Sequence, residues 1–306
     1  MGKHAYLILA HNKMDQLALM LRALDDERND FFLLLDCKLK QVDEKPLFDA
    51  VRRGRLFLLP DRIDVRWGQY SQVLARMRLL TAATSEGSYD IYHNISGQDL
   101  PLKSQNEIHA FFDSRPAFEF LSLNRPDRAK KYAHRCRFYY GFLKAVGRPK
   151  NNFQKICIFT AARCQKLFLG VDRQKLNPDT VFMKGGAWFS ISDSFARYIV
   201  SRAEWVEEAF QETYCGDEMF TQTLLYNSSF RDRLYLPQEG ETRSMRLTDW
   251  TRGKPYTFRS GDFDELIGSK LLFARKFDID LDRELVLRLT DYVIEKNEQE
   301  RSGDVE

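Results

Sequence analysis

Five short, nearly uninterrupted apolar runs, separated by stretches of helical periodicity, dominate the first 125 residues of this 306-residue chain. They are AYLILA (5–10), FFLLLD (31–36), RLFLLP (55–60), YDIYHNIS (89–96) and FEFLSL (118–123). A strand that is apolar on both faces must be covered on both faces, and helices connecting parallel strands provide that cover. The spacing predicts helices from about Lys13 to Leu24, near 44–53 and near 69–84, while Ser104-x-x-Glu107 reads as a capping box that opens a fourth. The expected fold is α/β, a Rossmann-like, mostly parallel sheet flanked by helices. Ligands of such sheets sit beyond the carboxyl ends of the strands, which nominates His11 and Asn12, Asp36, and Ser96-Gly97-Gln98-Asp99.

The remainder is organised differently. Between Arg125 and Lys150 stand nine cations (Arg125, Arg128, Lys130, Lys131, Arg135, Arg137, Lys144, Arg148, Lys150) against one acid, Asp127. This patch suits an anion or a solvated face. Residues 125–170 read as helical, and the spacing of Phe153, Ile156, Cys157, Phe159, Leu167 and Phe168 favours ordinary packing against a core. VFMKGGAWFSIS (181–192) reads as a strand interrupted by a glycine pair, a place for close approach of backbone and ligand. Helices follow near 193–212 and 217–227, a strand near 243–249, a helix near 262–270 and a last helix from about 282.

Composition narrows the partners. A net charge of only +3 gives no general affinity for nucleic acid. The five cysteines are scattered, without CxxC or Cys/His ligand spacing, so neither a disulfide framework nor a zinc site is expected, and a reducing cytosol fits. The first apolar run is too short for a secretion signal, and nothing approaches the roughly 18 apolar residues of a membrane span.

GxGxxG, Walker, HExxH and GxSxG motifs are all missing from the sequence, which leaves phosphate binding to side chains. Arg252, Lys254, Arg259, Arg275 and Lys276 lie within a short span and could neutralise a diphosphate, or could simply be solvated. Glu218, in Tyr-Cys-Gly-Asp-Glu, stands at an expected helix start, where it is either a partner of the helix dipole or a general base; Asp217 is the better cap. Trp67 is either core or a stacking platform.

At these residues the chain resembles the core-2/I-branching β-1,6-N-acetylglucosaminyltransferase family, which also contains protein O-xylosyltransferases and bacterial members. The matching blocks are HAYLILAHNKMDQLALMLRAL, FFLLLD, VRWGQYSQV, YDIYHNISGQDLPLKS, KGGAWFSIS, GDEMF and KLLFARKFDID, in the family's order. The resemblance implies one GT-A-type catalytic domain over 1–306, with a nucleotide-binding half (1–125) and an acceptor and catalytic half (126–306) that ends in a diphosphate-binding segment. It also implies inversion at the anomeric carbon without a cofactor or divalent metal. In keeping with that, the three DxD strings (Asp262/Asp264, Asp278/Asp280, Asp280/Asp282) fall in the C-terminal region and are expected to be caps and surface acids.

By the same resemblance Glu218 is the base and Lys276 contacts the diphosphate, with Arg252 as its partner and Lys254 or Arg246 as alternatives. His11, Asp36 and Trp67 correspond to uridine-site positions. Gly97, Gln98 and Asp99, together with Gly185, Gly186 and Trp188, line the donor and acceptor cleft beside Asp217. The expected activity is transfer of N-acetylglucosamine from a UDP-sugar to a glycan hydroxyl in bacterial surface-polysaccharide synthesis. Alternatives are transfer from UDP-xylose, or a sugar-nucleotide or glycan-binding module without chemistry. His134, Arg135 and Arg137 could face an acidic acceptor. Residues 125–168 could hold a cytoplasmic enzyme against the inner face of a membrane that carries a lipid-linked glycan.

Overall fold

The computed structural model describes residues 2–143, 147–149 and 151–303. Lys144, Lys150 and the side chain of Lys130, all in the basic segment, lie outside the described residues. Strands β1 (His4–Ala10), β2 (Asn29–Leu35), β3 (Arg55–Leu58) and β4 (Ile91–Ser96) are parallel, in the order β3-β2-β1-β4. All of β2 is buried, and in β1 only Leu9 is not fully so. Their alternate side chains feed two cores. Tyr6, Ile8, Phe31 and Leu33 pack on one face under α1 (Met14–Leu24), α2 (Lys45–Ala50) and the C-terminal helix Arg283–Ser302. Ala5, Leu7, Phe32 and Leu34 pack on the other under α3 (Ser71–Glu86) and the helices Asp193–Ser201, Ala203–Phe210 and Phe220–Tyr226. Each fully buried Leu or Phe contributes about 1.5–3 kcal/mol. The expected capping box opens α4 (Gln105–Asp113): Ser104 Oγ accepts from the Glu107 amide at 3.2 Å, and the Glu107 carboxylate accepts from the Ser104 amide at 2.9 Å.

The α/β class and the mostly parallel sheet are as expected, but the sheet is completed from far along the chain. Strand β7 (Phe189–Ser192) lies between β4 and the two-residue β6 (Phe120–Leu121), antiparallel to both. The FEFLSL run is therefore shorter as a strand than its apolar length suggests, because its ladder partner is β7 and not β4. Near β4, a second sheet joins β5 (Asp99–Pro101) to β9 (Phe273–Arg275), which pairs with β8 (Arg246–Thr248). It fastens the C-terminal FARKFD segment to the SGQD loop: the Phe277 amide donates to Gln98 O at 3.0 Å.

Two local expectations are corrected. Asp217 caps no helix. A 3₁₀ turn (Gly216–Glu218) precedes Phe220–Tyr226, and the Asp217 side chain makes no capping bond, because the buried Arg76 of α3 requires a counter-charge and Asp217 supplies it. In the helix Asn152–Leu169 the residues that pack inward are Ile158 and Ala162, whereas Phe153, Ile156, Leu167 and Phe168 point away from the protein.

At the glycine pair the close approach is between two backbone segments. A Cβ on Gly185 would lie 1.7 Å from the carbonyl oxygen of Ser122, and one on Gly186 would lie 2.8 Å from Ser122 Oγ. Because a backbone carbonyl cannot rotate aside, Gly185→Ala is expected to destabilise the protein by about 2–3 kcal/mol. A urea unfolding midpoint unchanged from wild type would refute this.

Candidate functional site

A cleft of about 630 Å³ opens beyond the carboxyl ends of β1, β2 and β4, where strand order reverses direction along the chain. His11, Asp36, Trp67, Gln98, Gly186, Trp188, Asp217 and Glu218 all line it. Of the other candidates, Gly97 lies behind the wall, packed on Ala10, with its carbonyl accepting from Gln16 Nε2 at 2.8 Å. Asp99 is buried and accepts from the Ser96 amide at 2.7 Å. Arg135 reaches the site through Glu218.

Glu218 is held by two cations. Arg135 Nη1 donates to its Oε2 at 2.8 Å, and Lys184 Nζ lies 3.1 Å from the same oxygen. Burial alone would raise this carboxyl, but Lys184 and Arg135 outweigh it and hold Glu218 below the usual glutamate range. Asp217, one residue earlier, is the opposite case: burial raises its carboxyl, with Arg76 opposing at 3.5 Å. The Arg76 guanidinium also faces the Trp188 ring at 5.7 Å, and Arg275 stacks on that ring at 3.9 Å while Asp99 accepts from it at 3.3 Å.

The cationic side of the cleft differs from the expectation. Arg252 does not line it; its guanidinium is occupied by Asp249, Asp262 and Glu265 and stacks 4.5 Å from the Tyr256 ring. Three acids take four of its five N–H donors and neutralise its charge, and they hold it away from the cleft. Lys254 is exposed on the same loop. Arg246 does line the cleft, but it is buried and donates to Phe189 O at 2.8 Å and to Ser190 Oγ at 3.2 Å, and burial pushes its guanidinium down to about 10. Arg275 lines the cleft. The adjacent Lys276 ammonium has no hydrogen-bond or ion-pair partner among the described residues, and burial together with Arg275 lowers its pKa. Lys276 also acts on His11, which burial lowers and Asp36 partly restores.

Asp36 and Asp64, with Cys37, stand close enough to hold a cation, but the Lys38 ammonium already bridges the two carboxylates, at 2.7 and 3.1 Å. The DxD acids serve elsewhere: Asp262 pairs with Arg252, Asp278 and Asp280 with Lys13, and Asp282 caps the last helix through the Leu285 amide. Trp67 is 42% exposed, with Arg148 4.9 Å from its ring, so it is not core.

Sequence reasoning passed over Arg76, Lys184 and Lys38 as site residues, and named Arg275 only among the cations that could neutralise a diphosphate. Arg76 was detectable as a cation on the apolar 73/76/77/80 face of α3, which demands a buried partner. Lys184 and Arg275 adjoin matched residues, inside KGGAWFSIS and KLLFARKFDID.

Xylosyltransferase 2 of Rattus norvegicus is 23% identical over 320 residues and that of Homo sapiens is 24% identical over 321, each match covering 94% of this chain and 33% of the relative. Xylosyltransferase 1 of Canis lupus familiaris is 22% identical, over 94% of this chain and 30% of its own length. The chain thus spans about a third of the length of the curated relatives it matches. The crystal structure of mouse xyloside xylosyltransferase 1 in its apo form aligns with 88% of this chain and 96% of that one, at 11% identity and a TM-score of 0.39. The model of the Core-2/I-Branching enzyme family matches residues 4–266, and on that match the chain belongs to this family of glycosyltransferases.

Proposed function

We propose that this chain is an inverting, metal-independent glycosyltransferase that moves N-acetylglucosamine from a UDP-sugar to a glycan hydroxyl in bacterial surface-polysaccharide assembly. The observation that carries the reading is one cleft holding both an ionised, doubly paired carboxylate, Glu218, and the Arg275 guanidinium, with the unpartnered ammonium of Lys276 next in the chain. Glu218 takes the proton of the acceptor hydroxyl as its oxygen attacks the anomeric carbon. The bond to UDP breaks on the opposite face, and configuration inverts. Arg275 and Lys276 meet the charge that develops on the diphosphate, the role first assigned to Lys276 with Arg252. In this reading Asp36 accepts from the ribose hydroxyls and His11 and Trp67 flank the base, which their common place in the cleft lining supports. Lys38 between Asp36 and Asp64 supports independence from metal, since an ammonium already fills that acidic pair. A second reading, UDP-xylose as donor, is favoured by the matched relatives, which are named xylosyltransferases. Competing the two donors for one acceptor decides between them.

Three variants test the assignments together. Glu218→Gln is expected to lower kcat by at least about 100-fold while UDP affinity survives. Lys276→Ala is expected to weaken UDP binding, and Arg252→Ala to leave it unchanged. Retained turnover in Glu218→Gln, or loss of UDP affinity in Arg252→Ala alone, would remove the corresponding role.

The charge environment of Glu218 fixes a pH dependence. A carboxyl whose folded pKa lies below its ordinary value of 4.5 stays ionised from neutral pH down to that depressed value, so activity due to its basic form is lost only as pH falls through it. The acid limb of kcat/KM therefore lies below pH 4.5. Replacing Arg135 and Lys184 by Gln removes the charges that depress the carboxyl and moves that limb upward. A limb that does not move would separate it from Glu218.

A further inference from the structure

The helix Asn152–Leu169 has apolar residues on two opposite sides. Inward, Ile158 and Ala162 are buried and Phe159 packs 5.4 Å from the ring of Tyr214, within a small core that includes Tyr140 and Cys215. Outward, at about 100° per residue, Phe153, Ile156, Thr160, Cys164, Leu167 and Phe168 share a stripe about 120° wide. Its four largest members are 74%, 63%, 78% and 75% exposed, in the order Phe153, Ile156, Leu167, Phe168. No other element of the described chain covers this face. Ordinary solvated helices do not leave two phenylalanines, an isoleucine and a leucine in one exposed row.

The charges decide what covers it. From Asn151 to Gly170 the chain carries Lys155, Arg163 and Lys166 and no acid. Arg163 borders the stripe, whereas Lys155 and Lys166 fall between the angles of Ala162 and Phe159, about one helix diameter from a surface that the stripe touches and still within reach of its potential at low salt. Two copies set stripe to stripe would bring their Arg163 side chains together with no acid on the helix to answer them, whereas anionic headgroups above an apolar layer match both the stripe and the helix's uncompensated positive charge. No helix of the described chain is long and apolar enough to cross a membrane, so this one can only lie in the interface plane.

We propose that the outward face of Asn152–Leu169 docks on an anionic lipid bilayer. The inner side of the helix packs on Tyr214 and Cys215, and the Tyr214 amide donates to the carbonyl of Arg135, whose guanidinium holds Glu218. Docking therefore brings the Glu218 side of the cleft to the lipid surface. This makes a membrane-borne glycan the acceptor class, a consequence that rests on the glycosyl-transfer reading, whereas the docking itself does not.

Flotation of the full chain with vesicles tests the docking without any assay of transfer. Vesicles of phosphatidylcholine with about 30 mol % phosphatidylglycerol are expected to carry at least about fivefold more protein than pure phosphatidylcholine vesicles at low salt. The combined substitutions Phe153→Glu, Ile156→Glu, Leu167→Glu and Phe168→Glu are expected to reduce flotation to background with an unchanged urea midpoint. Should that variant fail to fold, the set Lys155→Gln, Arg163→Gln and Lys166→Gln keeps the apolar stripe and is expected to lose the preference for anionic vesicles. Failure of the wild-type chain to float overturns the proposal, as does equal flotation of wild type and the folded glutamate variant, or an unchanged anionic preference in the glutamine set. A wild-type dimer in sedimentation that becomes monomeric in the glutamate variant, with neither protein floating, also overturns it and assigns the stripe to a second copy.

Discussion

The cleft is organised around one indole ring. Trp188 is shared by two guanidinium groups, that of the half-buried Arg275 at 3.9 Å and that of the buried Arg76 at 5.7 Å, each matched by a buried acid, Asp99 and Asp217 respectively. Taking such charges out of water costs several kcal/mol per ion, and removal of any one partner leaves another uncompensated. The arrangement therefore holds only with every member in place, and it fixes neighbours as well as members. Asp217 is followed by Glu218, Arg275 by Lys276, and Asp99 closes the turn after β4. Both ends of the proposed chemistry are thus referenced to the same side chain.

The pairing of Glu218 gives it a definite character. Two cations within 3.1 Å keep it ionised and restrict its rotamers, at some expense of basicity. On the proposed reading, an anionic diphosphate in the same cleft would oppose those cations and raise the proton affinity of the carboxylate, strengthening the proposed base. Nearby, Lys38 lies between Asp36 and Asp64, a pair of acids that would otherwise invite a cation. Among the described residues, the cations that line the cleft are Lys38, Arg76, Arg246 and Arg275.

Much of this was legible in the sequence where it depended on local pattern. The buried strands β1 and β2, the Ser104 capping box and the strand-end residues His11, Asp36 and Gln98 follow from apolar runs and from the rule that ligands sit at carboxyl ends. What escaped was set by distant partners. Strand β7 finds its place between β4 and β6 from about 70 residues downstream of β6, and no periodicity announces that register. Arg252 had the right charge in the right stretch of chain, but Asp249, Asp262 and Glu265 occupy it, and that is a property of the folded loop. Asp217 looked like a cap until Arg76 supplied a stronger reason for its position. In the helix Asn152–Leu169 periodicity located an apolar stripe correctly but could not say which side of the helix faces the core.

Direct displacement by a hydroxyl activated at Glu218, without metal, makes two joint demands: an inverted glycosidic bond, and a rate that does not depend on a divalent cation. Transfer from an α-linked UDP-sugar in the presence of EDTA, followed by proton NMR of the product, reads both directly. A β-linked product formed at an undiminished rate is the predicted result. An α-linked product, or transfer that stops on chelation, would contradict a metal-free inverting reaction at Glu218.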